Sequence, residues 1–194
     1  MLPVPARLRD AVARRPSRRI LIPGFARAAV LVPVVERTGG WSLVFTERSS
    51  SLALHAGQVS FPGGRREAED PSLTATALRE SAEEMGLSSE RVAVLGRLDD
   101  VAVYTGFVVT PVVGWLGSGR AFTPDRREVR RIFELPLADL ADLACFSYLG
   151  TRDVAGEPHP LYEFRHCKAR VWGATARMVY DLLGRLGWPA AFRA

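Results

Sequence analysis

The spacing of hydrophobic and polar positions changes several times along the chain, and each change marks an element. Residues 4–16 read as a short arginine-rich helix. Ala26 to Val35 is a long apolar, β-branched run, the signature of a buried strand. Gly39-Gly40 turns the chain, and Trp41 to Thr46 alternates as a second strand, so the two are expected to form a hairpin. Glu47 to Asp70 is a polar, glycine-containing loop, and loops of this length in compact domains are usually functional. A helix follows, with Asp70 as expected N-cap, Pro71 in the first turn and Gly86 as the stop after Met85.

Strands are expected near 92–98 and 106–116, then a loop at 117–127 carrying Gly117, Gly119 and Pro124. A strand near 129–134 leads through Pro136 into a short helix ending about Leu143. Two short strands near 160–165 and 169–172 precede a last helix over 174–186. There is no internal repeat and no low-complexity linker. Strands with a few helices between them imply an α/β fold, a mixed sheet covered on both faces. The chain length suits one domain over 1–194, with 1–25 as an N-terminal helical extension.

Composition narrows this only slightly. Apolar content of 47% and charged content of 24% are ordinary for a globular protein. Formal charge is +5, and Lys168 is the single lysine, so nearly all positive charge is arginine. Arginine suits fixed, forked phosphate contacts, although an arginine-rich codon bias yields the same composition. Cys145 and Cys167 form neither a disulfide framework nor a Cys-x-x-Cys pair and read as free thiols. No signal-like or membrane-length apolar run is present, so a cytoplasmic location with no membrane partner is expected.

The chemistry gathers on the 72–86 helix. On a wheel of ~100° per residue, Ala75, Leu78, Ala82 and Met85 share one face. Glu80, Glu83 and Glu84 fall opposite, at spacings that bring their carboxylates together. Near a helix C-terminus such a cluster is repelled both by itself and by the helix dipole. A hard divalent cation relieves both effects. By spacing alone, Glu-x-x-Glu-Glu fits a solvated acidic face at least as well. Arg79 beside the cluster, and Phe61-Pro62-Gly63-Gly64 entering the helix, tip the balance toward a site.

The segment Gly64 to Leu87 resembles the Nudix box, with matches at Arg79, Glu80, Glu83, Glu84, Gly86 and Leu87. Eight residues separate Asp70 from Arg79 where the pattern has seven after a glutamate, which leaves the role of Asp70 open. Ser81 stands at an aliphatic position. The resemblance implies a Nudix fold, helices sandwiching a mixed sheet, and hydrolysis of a nucleoside diphosphate linked to a further group. It implies Mg²⁺, with Mn²⁺ as substitute, held by Glu80, Glu83 and Glu84 with the Gly64 carbonyl. Arg79 belongs to the same machinery. The family places its general base on the helix or on a later loop. Glu128 is the candidate on the later segment, where a surface glutamate is an equal reading.

The stretch Phe45 to Gly64 resembles the extra motif of the coenzyme A pyrophosphatase branch. It carries Thr46-Glu47-Arg48-Ser49 and His55-Ala56-Gly57-Gln58-Val59-Ser60-Phe61-Pro62-Gly63-Gly64. Softer matches lie at Phe133 to Leu137 and Val171 to Arg177. The implied reaction splits coenzyme A or its derivatives into 3′,5′-ADP and 4′-phosphopantetheine. Arg48, Ser49, His55, Gln58, Gly63 and Gly64 are the substrate-binding candidates. Phe61-Pro62 is expected to pack the loop, and Trp172 to lie in the core. A Nudix hydrolase for ADP-ribose or another nucleotide would keep the helix without needing residues 48–60. A non-catalytic Nudix-fold binding module should have lost the box residues. The basic N-terminal helix lacks aromatic interleaving, so nucleic-acid binding is not expected, and a homodimer is the expected assembly.

Overall fold

The computed structural model describes residues 4–49, 57–118 and 121–187. The apolar run forms β1 (Ala26–Arg37), and the chain returns through Gly39-Gly40 as β2 (Gly40–Arg48). The pair is the expected antiparallel hairpin, with Val34 opposite Leu43 and Arg37 opposite Gly40. Down its other side β1 runs parallel to β7 (Phe107–Gly117), which makes the sheet mixed. β7 also takes β5 (Ala93–Arg97) and β6 (Val101–Val103), both antiparallel. β8 (Val129–Pro136) pairs with β2.

The 47–70 stretch is not all loop. It contains β3 (Val59–Ser60), paired with β2, and β4 (Gly63–Arg65), paired with β1. The propensity for β4 is poor, since two of its three residues are glycine. Closeness explains it: a Cβ on Gly63, whose φ is +156°, would sit 2.3 Å from the Ala29 carbonyl oxygen. Only glycine lets this strand lie against β1.

Alternation along the central strands divides the core in two. Val32, Val34, Leu43, Phe45, Val113 and Trp115 face one way. They meet α1 (Ala6–Ala13) and α4 (Gly173–Leu186). Leu31, Val35, Val44, Val112 and Leu116 face the other way, toward Ala77 and Met85 of α2 (Leu73–Met85). The sheet is therefore sandwiched between helices, as expected. The N-terminal helix is shorter than 4–16 and is no mere solvated appendage: Leu8, Ala11 and Val12 are buried in the core.

After β8 the chain makes a one-turn helix, α3 (Leu137–Leu140). It then builds a second, antiparallel sheet from β9 (Phe146–Val154), β10 (Glu157–His166) and β11 (Ala169–Trp172). β9 carries no clear pattern in the sequence because most of its residues are exposed. No described helix is long and apolar enough to cross a membrane.

Candidate active site

The acidic cluster rides on α2, whose limits are set locally. Ser72, not Asp70, caps the helix: its Oγ accepts from the Ala75 amide at 3.1 Å. Pro71 therefore lies outside the helix. Gly86 ends it at a φ of 65°, a left-handed conformation that glycine adopts without cost.

Asp70 has a different task. Its two oxygens accept from Arg79 Nε and Nη2, each at 3.1 Å, and one also accepts from the Glu67 amide at 3.0 Å. The Arg79 bonds, then the Glu67 amide, hold this carboxyl well below the usual carboxylate range. Arg79 is raised in turn, chiefly by the same bond to Asp70. Its guanidinium continues to Glu80 and to Glu83, each at 3.1 Å. One arginine thus ties the start of the helix to two of the three glutamates.

The expected apolar face of α2 holds only in part: Met85 is buried and Leu78 packs against the core. Ala82 is exposed, and the buried positions are Thr76, Ala77, Ser81, Glu84 and Met85. Glu84 is only 5% exposed and Glu80 is largely covered, whereas the Glu83 side chain is 59% exposed. The helix therefore turns two glutamates inward rather than presenting all three to solvent. Ser81 accounts for part of this. Fully buried where an aliphatic residue is usual, it donates to the Ala77 carbonyl at 2.7 Å.

Gly63 and Gly64 meet the inward glutamates. The Gly63 amide hydrogen-bonds the Glu84 carboxylate. A Cβ on Gly64 would fall 2.3 to 2.7 Å from the Glu80 carboxylate, so glycine is required for the approach. Burial, then the charge of Glu80, pushes Glu84 up to about 8. Glu80 is raised by burial and partly held back by Arg79.

Arg48 ends β2 at a register shift against β8, its backbone amide donating to the Gln58 carbonyl at 3.0 Å. Its charge acts on Glu84, and its Nε is buried without a hydrogen-bond partner among the described residues. Glu128 acts on both Glu80 and Glu84. It arrives there because its loop docks on the C-terminal turn of α2. The Thr123 amide donates to the Met85 carbonyl at 2.9 Å, and the Asp125 amide to the Glu84 carbonyl at 3.1 Å. The Ser49 amide donates to the Glu128 carbonyl at 2.8 Å.

The structure thus brings together Glu80, Glu84, Arg79, Gly63, Gly64, Arg48 and Glu128, with Ser49 and Gln58 beside them. Glu83 stays on the outer edge, and His55 lies outside the described residues. Thr123 and Asp125 escape a reading of the sequence, since nothing local says which helix a loop will cover. Trp172, expected in the core, is only half-buried.

Among the described residues no three Asp, Glu, His or Cys side chains are gathered into a metal cage. Arg79 holds Glu80 and Glu83 instead. Glu84 nevertheless fits such an ion: its Oε2 is buried with no donor among the described residues, and an orphaned carboxylate oxygen suits a hard divalent cation.

Residues 25–148 match the NUDIX domain family. The chain is 40% identical over 157 residues to a protein of Photorhabdus laumondii described as an uncharacterized Nudix hydrolase NudL, covering 80% of this chain and 82% of that one. A NudL of Klebsiella pneumoniae is 39% identical over 173 residues, 89% of this chain and 88% of that one. Among solved structures, a MutT/nudix family protein from Enterococcus faecalis superposes with a TM-score of 0.58 at 13% identity, over 96% of this chain and 75% of that one. The M. smegmatis Nudix hydrolase RenU superposes with a TM-score of 0.52 at 22% identity, over 62% of this chain and 76% of that one. At these identities the superpositions speak for the fold alone.

Proposed function

The chain belongs to the Nudix hydrolase family, and from that premise we propose that it cleaves the pyrophosphate linkage of coenzyme A or its derivatives. The products are 3′,5′-ADP and 4′-phosphopantetheine. The observation that carries the substrate is the position of Arg48. Arg48, within the coenzyme A-type motif, has a buried Nε with no hydrogen-bond partner among the described residues and acts electrostatically on Glu84 of the box. A guanidinium held there can donate to a diphosphate oxygen lying over the acidic cluster.

Nudix hydrolases use divalent metal ions such as Mg²⁺. In this chain Glu80 and Glu84, with Glu83 at the edge and the Gly64 carbonyl, would hold the ion, with Mn²⁺ able to substitute. When bound it would offset the substrate's negative charge and acidify the attacking water. Arg79 orients Glu80 and Glu83. Arg48 meets the diphosphate, and Ser49 and Gln58 donate neutral hydrogen bonds. Glu128, exposed and beside Glu80 and Glu84, takes the proton from water as general base. One water adds across the P–O–P bridge, and the two phosphate monoesters share its two protons with the base and solvent.

The deciding experiment incubates the full chain with coenzyme A and Mg²⁺ and separates the products. Appearance of 3′,5′-ADP and 4′-phosphopantetheine is expected. Cleavage of ADP-ribose with coenzyme A left intact would move the assignment to another nucleoside diphosphate derivative. Cleavage of neither would point to a binding module.

A further inference from the structure

A cleft of about 890 Å³ opens beside Gln58, between the start of α4, the β6–β7 turn and the β9–β10 hairpin. That volume is within the ~300–1,000 Å³ of small-molecule sites and exceeds what a diphosphate alone would fill. Gly173, Ala174 and Arg177 of α4 line the cleft, and no residue of α2 does.

Its charge is unbalanced. Asp99 and Asp100 stand on its wall, but both are already paired: Asp99 with Arg15 and Arg185, Asp100 with Arg27. None of those three arginines lines the cleft. Arg18, Arg19, Arg152 and Arg177 do, and among the described residues no carboxylate pairs with any of them. Glu157, also on the wall, is the single lining carboxylate among the described residues left to oppose four guanidiniums.

The same wall offers an aromatic surface. Tyr104, in the β6–β7 turn, is 58% exposed, and the Arg152 guanidinium lies 4.5 Å over its ring. Arg152 stands opposite His159 in the hairpin. Arg177, on the first turns of α4, donates to the Tyr162 hydroxyl at 3.1 Å and leaves further donors free of any acidic partner among the described residues. Trp172, just before α4, lines the cleft but places no side-chain cap on the helix, so the first amides of α4 add to the positive wall.

We propose that this cleft receives the nucleoside end of the substrate, and that Arg152, with Arg177, binds a second phosphate on its ribose. The assignment rests on the coenzyme A reading above. Forked guanidiniums without carboxylate partners suit a phosphomonoester, and Tyr104 supplies a stacking face for a base. The other half of the substrate, an uncharged amide-containing arm, would leave these arginines unneutralised. Gln58 lines the cleft, and its carbonyl accepts from the amide of Arg48, so the cleft abuts the residue assigned to the diphosphate.

Calorimetric titration of the full chain with adenosine 3′,5′-bisphosphate, adenosine 5′-monophosphate and 4′-phosphopantetheine, in Mg²⁺, tests this directly. The bisphosphate should bind at least about tenfold tighter than the monophosphate, the scale of one or two charge-assisted hydrogen bonds. Arg152→Gln, at an exposed position, should shrink that gap to about threefold or less and leave 4′-phosphopantetheine binding unchanged. Addition of Arg177→Gln should erase the gap. Equal binding of the two adenosine phosphates to the native chain would overturn the proposal, as would a gap that survives both substitutions. Coenzyme A cleavage is measured in parallel. Cleavage without discrimination refutes the cleft and keeps the substrate; discrimination without cleavage refutes the substrate and keeps the cleft as an adenosine bisphosphate site.

Discussion

Arg79 and Asp70, nine positions apart, meet through two hydrogen bonds of 3.1 Å, and Asp70 holds the arginine where it can reach Glu80 and Glu83. Asp70 is thus a positioning residue, despite the extra residue between it and the arginine. Asp70→Asn should lower kcat about ten- to hundredfold through misplacement of the glutamates, with little change in KM. The Asp70 carboxyl titrates below its unfolded value, so its stabilisation is present at neutral pH and disappears as pH falls through the depressed value. The Asn variant should therefore melt below the native chain at pH 7, and the two should converge in acid. Steady-state kinetics and melting curves from pH 7 downward check both points.

Glu84 should show the opposite pH dependence in metal-free protein. Burial raises it to about 8, so between its unfolded value and about 8 the folded chain holds a proton that the unfolded chain has released. Metal-free stability should fall as pH rises through this window and level off above it. Glu84→Gln should flatten that slope and lower kcat at saturating Mg²⁺ by about a hundredfold or more. An unaltered slope in the variant, or undiminished turnover, would remove Glu84 from the metal site.

Gly64→Ala places a methyl carbon 2.3 to 2.7 Å from the Glu80 carboxylate. The carboxylate is the free end of a side chain and can swing away, so the fold should survive with a small loss of melting temperature. Turnover should drop about ten- to hundredfold, since Glu80 can no longer hold its position. Circular dichroism alongside kcat separates the two effects.

Arg48→Gln should lower kcat/KM for coenzyme A about ten- to a hundredfold by removing a charged contact to the diphosphate. Inorganic pyrophosphate, tested as a competitive inhibitor, should weaken in parallel. An effect on coenzyme A with no effect on pyrophosphate would place Arg48 on another part of the substrate.

Glu128→Gln tests the general base. Loss of about 10² to 10⁴ in kcat with little change in KM is expected. A variant that keeps its turnover would return the role to a residue on α2.

Much of the fold was legible because the patterns behind it are local. The β1–β2 hairpin follows from an apolar run, two glycines and an alternating run. The end of α2 follows from Gly86. β9 was not legible, because its exposed residues carry no buried alternation. Nor was β4, which exists because glycine can lie against β1 rather than because its residues favour strands. The inward face of α2 was legible only in part, at Met85 and Leu78. Side-chain hydrophobicity does not reveal that Ser81 satisfies itself on Ala77 and that Glu84 turns toward the Gly63 amide.

The sequence by itself determined the inventory: an arginine, three glutamates at helical spacing, a glycine pair before them, and a motif with Arg48 and Gln58. It also carried the resemblance to the Nudix box from Gly64 to Leu87, which implies the reaction family where the glutamate spacing alone does not. The tertiary structure alone decided which glutamates turn inward. It also set Arg48 against Glu84, delivered Glu128 through the docked 121–128 loop, and gathered around one cleft four arginines that no described carboxylate pairs. Local spacing sets only the angle between side chains on one helix. Burial, and with it the charge state of Glu84, depends on surfaces contributed by strands and loops far away in the chain.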